Sequence, residues 1–124
     1  MSGFAREERG AAAIEYAFVL PALLGFAIGV MDLGRLVWTQ VTLDRAVQAA
    51  ARCASVNGTT CANDTAIKTY AAASAWGMTV PASIFTTAQQ GCGVNVQAQL
   101  TFSYTVPWPV APATVKSAAC YPKG

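Results

Sequence analysis

Residues 9–32 read RGAAAIEYAFVLPALLGFAIGVMD, and the rest of the architecture follows from how this stretch is interpreted. No charge occurs between Tyr16 and Met31, and residues 11–31 as an α-helix span about 31 Å, the thickness of the hydrocarbon layer of a bilayer. The stretch reads as a transmembrane helix over residues 11–31. Two arginines, Arg6 and Arg9, precede it in a short polar head, residues 1–10, which marks that side as cytoplasmic. A secretory signal peptide begins in the same way but ends in a small-x-small cleavage site just after its apolar core. Here the core runs into Asp32, Arg35 and a continuing helical pattern, as a signal anchor does. Glu15 breaks the apolar run near its start. An unpaired ionised carboxylate there costs on the order of several kcal/mol, so it needs a partner, or must reach the headgroup layer a turn or so away.

Outward from the helix, the chain has 124 residues, a net charge of +2 and 54% hydrophobic residues, enough for one small folded unit beside the membrane segment. Its eight Lys and Arg do not cluster, and no aromatic-basic groove pattern is present, so no nucleic-acid partner is expected. The carboxylates are Glu7, Glu8, Glu15, Asp32, Asp44 and Asp64, and there is no histidine. Asp64 is the sole acid in the outer part, and neither a phosphate-cradling glycine loop nor a nucleophile motif occurs. The expectation is a non-enzymatic chain with no cofactor, no metal and no small-molecule substrate.

Beyond Met31, Leu33, Leu36, Leu43, Val47, Ala50 and Ala54 keep a three-four spacing that misses at Gln40, while Asp32, Arg35, Thr39, Thr42, Arg45 and Arg52 fall largely on other faces. This predicts an amphipathic extension of the helix over residues 32–56, stopped by the turn signal Asn57-Gly58. Residues 57–124 make a small outer domain. Asn63 or Asp64 caps a short helix in which Ile67, Tyr70, Ala71 and Ala75 share a face, with Gly77 as its stop. A short strand is expected near residues 83–87. The clearest strand follows: Val94, Val96, Ala98, Leu100, Phe102, Tyr104 and Val106 alternate with polar residues. After the turn PWPVAP, residues 107–112, a returning antiparallel strand runs over 113–121. The predicted fold class is α+β, a long N-terminal transmembrane and amphipathic α-helix carrying a short helix and a small antiparallel β-sheet.

Cys53, Cys61, Cys92 and Cys120 all lie beyond the apolar segment. An even number in a short non-cytosolic domain points to disulfides and an oxidising compartment, and the absence of CxxC spacing and of histidine argues against zinc. Three connectivities are open. Cys53 with Cys61 is favoured because the two flank the turn after the long helix, which leaves Cys92 with Cys120. A hairpin symmetric about PWPVAP sets Cys120 opposite about Gln99, roughly 20 Å from Cys92 at strand rise, so that second bridge requires an uneven return.

From Gly10 the residues acquire a family resemblance. Gly10, the small or apolar Ala11–Ile14, then Glu15 and Tyr16 look like the processing motif of the Flp, or tight-adherence, class of type IV pilins, and the run through Arg35 with its alanine-rich continuation resembles the TadE-like proteins of the same system. The resemblance covers roughly residues 9–54. It implies a pilin-like fold, a minor pilin or pseudopilin with a place in pilus assembly and cell adhesion, and cleavage after Gly10 by a prepilin peptidase. The partners it implies are that peptidase, the major and other minor pilins, and the assembly platform with its ATPase. It also implies an inner-membrane precursor with its outer domain in the periplasm, later carried into the pilus at the cell surface.

Cleavage there makes Ala11 a charged amino terminus at the head of an apolar helix, with Glu15 the fifth residue after it. In a filament of axially stacked subunits, the amine of one subunit and the carboxylate of the next neutralise each other and fix the register. Pro21 leaves the carbonyl of Ala17 without its helical donor, so a kink or loosened turn is expected, which type IV-like filaments tolerate. Gly25 and Gly29 form a GxxxG pattern that permits close helix contact. Trp38, Trp76 and Trp108 read as membrane-interface or packing residues. Two other classes stay open: an uncleaved, single-pass accessory protein of a secretion or pilus system, and a thiol-active periplasmic enzyme, which free thiols would reveal.

Overall fold

The computed structural model describes the backbone of residues 4–124 and the side chains of residues 10–124, so residues 1–3 of the leader expected over residues 1–10, and the side chains of 4–9, lie outside the described residues. Helix α1 runs Phe4–Val56 and passes through Pro21 without a break in its helical assignment. After it come α2 (Asp64–Ser74), a 3₁₀ turn (Ala82–Ile84) and strands β1 (Phe85–Gln90), β2 (Gly93–Phe102) and β3 (Ala113–Tyr121). The strands form one antiparallel sheet in the order β1-β2-β3. The fold is α+β. Two compact units divide it: Met1–Gly34 with Tyr104–Val110, and Arg35–Ser103 with Ala111–Gly124.

In the second unit, the C-terminal half of α1 supplies Leu43, Ala46, Val47, Ala50 and Ala51, all fully buried. They share the core with Ile67 and Ala71 of α2 and with Phe85, Val96, Ala98, Phe102 and Val115 of the sheet. The largest wholly enclosed side chains are Phe85, Leu43, Val47 and Val96, each worth about 1.5–3 kcal/mol of burial. A polar seam ties helix to sheet beside this core. Gln40 donates to the carbonyl of Lys116 at 3.1 Å and to Asp44 Oδ1 at 3.0 Å, and the Ser117 hydroxyl donates to the same Asp44 oxygen. The Arg35 guanidinium stands 5.3 Å from the centre of the Phe102 ring, within cation-π range.

The buried face of α1 keeps Leu43, Val47 and Ala50 of the predicted stripe but departs from it toward the start of the amphipathic stretch. Leu33 is 60% exposed, whereas Thr39 and Thr42, assigned to the polar face, are buried. Threonine tolerates the position because its hydroxyl has a local acceptor: Thr39 donates to the carbonyl of Arg35 at 2.8 Å.

Local signals set the ends of α2. Asn63 is its N-cap, with Oδ1 accepting the N–H of Ala66 at 2.9 Å. Ile67, Ala71 and Ala75 are buried as expected, while Tyr70 is 37% exposed. Gly77, at φ +75°, turns the chain away under Trp38; a Cβ there would stand 3.4 Å from the indole.

The sheet differs from expectation at both ends. The strand expected near residues 83–87 begins at Phe85 and continues to Gln90, the 3₁₀ turn occupying 82–84. β2 alternates inward Val94, Val96, Ala98 and Phe102 with outward Gln97, Gln99 and Thr101, yet it stops at Phe102 rather than Val106. The reason lies in the first unit, where the N–H groups of Thr105 and Val106 bond to the carboxylate of Asp32 and are withdrawn from any ladder. The return is therefore uneven: Phe102 pairs with Ala113 and Asn95 with Cys120, so Cys120 stands near the start of β2 and not opposite Gln99. Two disulfides result, Cys53–Cys61 and Cys92–Cys120, and no cysteine is free. Gly93, at φ +122°, lets β3 approach; a Cβ there would collide with the carbonyl oxygen of Tyr121.

Candidate functional site

The residues singled out for processing and assembly lie on the N-terminal half of α1. Gly10, Ala11, Glu15 and Tyr16 are exposed, Tyr16 to 74%, and a Cβ on Gly10 would meet nothing within 4 Å. Ala11 and Glu15 stand one turn apart on one face, so an amine made at residue 11 and the carboxylate of residue 15 fall on the same stripe. Gly10 is itself helical. It is also the weakest helix former in its neighbourhood, which lowers the cost of unwinding the turn there.

The surface around these residues is apolar on every side. Ile14, Phe18, Val19, Leu20, Leu23, Leu24, Phe26, Val30 and Met31 are each more than half exposed, and at 100° per residue they point all round the helix. A helix with no polar face lies buried in protein or in lipid and does not lie flat on a membrane surface. Gly10–Val56 is, among the described residues, long and apolar enough to cross a membrane, with a mean hydropathy of 1.9 in its most apolar stretch. Pro21 is exposed on this apolar surface.

Two contacts close the far end of the segment, both within the first unit. Asp32 is 3% exposed, and one carboxylate oxygen accepts the N–H of Thr105 at 2.6 Å and that of Val106 at 3.0 Å. One and a half to two turns earlier, Gly25 is buried under the indole of Trp108; a Cβ there would stand 2.5 Å from Cη2. Of the GxxxG pair, Gly25 is thus engaged by the chain's own tryptophan, while a Cβ on Gly29 would meet nothing within 4 Å. Sequence reasoning placed Asp32 on a polar helical face and missed this clamp. The signal was an acid directly after an uninterrupted apolar run, but its partners lie more than 70 residues on.

The outer unit offers a groove between α1 and α2, about 470 Å³, lined by Trp38, Val41, Thr42, Arg45, Ser74 and Trp76. Asn57 and Asn63, each within an N-x-T sequence, use their side-chain oxygens on backbone: Asn57 accepts from Thr59 and Thr60, and Asn63 caps α2. Among the described residues no cluster of three or more His, Cys, Asp or Glu is placed to hold a metal.

These features define a class: a long helix whose stretch from Tyr16 to Met31 is apolar on all sides, bearing a small disulfide-clamped α+β domain on its C-terminal part. The family model for TadE-like proteins matches residues 10–52, so the segment from the glycine through the buried part of α1 is TadE-like, as its resemblance implied. No curated protein and no solved structure matches the chain.

Proposed function

We propose that the chain is a non-enzymatic minor pilin or pseudopilin that takes part in the assembly of a tight-adherence pilus. The observation that carries this reading is the TadE-like match over residues 10–52, which begins at Gly10 and includes Glu15. On this reading residues 11–31 span the inner membrane, residues 1–10 are a cytoplasmic leader, and the outer domain faces the periplasm. A prepilin peptidase cuts between Gly10 and Ala11. The exposure of both residues, and the low helix propensity of glycine, are compatible with access to that bond.

After cleavage the amine of Ala11 and the carboxylate of Glu15 are opposite charges on an apolar helix. Pairing between neighbouring subunits removes both penalties at once and selects one axial register. The major pilin, other minor pilins and the assembly platform with its ATPase are the partners this role calls for. The surface from Ile14 to Met31, apolar apart from Glu15, supports it, since that surface is covered first by lipid and then by neighbouring helices.

The test is the N-terminal residue of the native protein, read by mass spectrometry from membranes and from sheared filaments. Ala11 in both is the expected result. Material that keeps the residues ahead of Gly10 would instead identify an uncleaved anchored accessory protein.

A further inference from the structure

We propose that the loop Tyr104–Val110 is a lipid-docking element, seated in the bilayer leaflet at the C-terminal end of the membrane-spanning segment, with Trp108 as its anchor. The inference rests on residues 11–31 spanning the membrane, as proposed above, but goes beyond that role because it assigns a second membrane contact, distant in sequence from the helix.

Depth is the first argument. Trp108 packs on Gly25, six residues before Met31, which at 1.5 Å per residue is about 9 Å inside the end of the apolar stretch. A side chain whose ring tip is held against the helix at that level lies among the acyl chains, about 6 Å from the midplane of the hydrocarbon layer. The apolar indole ring of tryptophan suits that surrounding. Trp108 remains 55% exposed, and Val110 beside it 50% exposed, so the packing on Gly25 leaves a free apolar surface facing away from the helix.

Backbone polarity is the second argument. A loop entering lipid must dispose of its N–H groups, because each one left unpaired there costs several kcal/mol. Pro107 and Pro109 have none. Thr105 and Val106 give theirs to Asp32, and Val110 donates to the carbonyl of Trp108 at 2.9 Å. Asp32 follows Met31 directly, so this carboxylate holds the loop at the rim of the apolar stretch while the Pro-Trp-Pro tip reaches below it. This accounts for every backbone N–H from Thr105 to Val110 except that of Trp108.

The experiment uses the full chain in phosphatidylcholine vesicles, with Trp38→Phe and Trp76→Phe leaving Trp108 as the sole fluorophore. Lipids brominated along the middle of the acyl chain should quench its emission strongly, and acrylamide in the water should not. Asp32→Ala, which frees the loop, should weaken that quenching. A parallel chain with Trp108→Phe as well and Phe18→Trp reports on the span: it should be quenched by the same bromolipids. If Phe18→Trp responds and Trp108 does not, while acrylamide quenches Trp108 freely, the loop is in water and the proposal is overturned with the span intact. Trp108 shielded from both bromolipid and acrylamide would mean that protein covers it, such as a second copy of the helix, and would also overturn it. No response from either site would remove the span and the docking loop together.

Discussion

The two halves of α1 have the same backbone and opposite surroundings. From Ile14 to Met31 nearly every large apolar side chain is exposed and they face all directions; from Thr39 to Cys53 a single face is buried, against α2 and the sheet. The first pattern is left unsatisfied within the chain, and a helix apolar all round calls for cover by lipid or by other protein. The second is satisfied internally. The comparison teaches that the stability of the outer domain and the fate of the N-terminal segment are separable, and mutations should divide accordingly.

The largest effect is expected at Glu15. Replacing it by Gln keeps size and helix propensity but removes the charge, so incorporation into sheared filaments should fall to near background while thermal unfolding of the outer domain stays unchanged. Normal incorporation would break the electrostatic account of assembly. Next is Phe85→Ala, which empties the largest enclosed site and should cost about 3–5 kcal/mol in urea unfolding of the full chain in detergent micelles. Membrane insertion of the N-terminal half should not respond; if it did, the two halves would be energetically coupled.

Replacing both Cys53 and Cys61 by Ser opens a loop of eight residues, for which chain entropy gives about 2.5 kcal/mol. The smallest change is Asn63→Ala. Loss of the α2 cap should cost about 1 kcal/mol, read as a small fall in the urea midpoint with an unchanged slope. A much larger loss would mean that α2 is needed for the sheet to form at all.

Much of this division is legible without coordinates. The uncharged run, the amphipathic continuation, the cap at Asn63 and the alternation of β2 are local patterns that a few neighbouring residues specify. The leucine stripe misled at Leu33 because polar residues on the neighbouring face found partners: Thr39 bonds within the helix, and Gln40 and Asp44 reach β3. Alternation likewise misled beyond Phe102. Tyr104 and Val106 continue the pattern in the sequence, but an alternating pattern does not say where the donors go.

The amino-acid sequence by itself determined that a bilayer-length apolar helix leads into an amphipathic one, that the rest is a small α+β domain, and that residues 10–52 resemble the TadE-like family. Tertiary structure alone decided where β2 ends, how β3 is registered against it, and that Gly25 lies beneath Trp108. The physical reason is separation along the chain. Helix and strand periodicities arise from neighbours a few residues apart, whereas the Asp32 carboxylate acquires its meaning from two amides more than 70 residues later, and only the folded path of the backbone brings them within 3.0 Å.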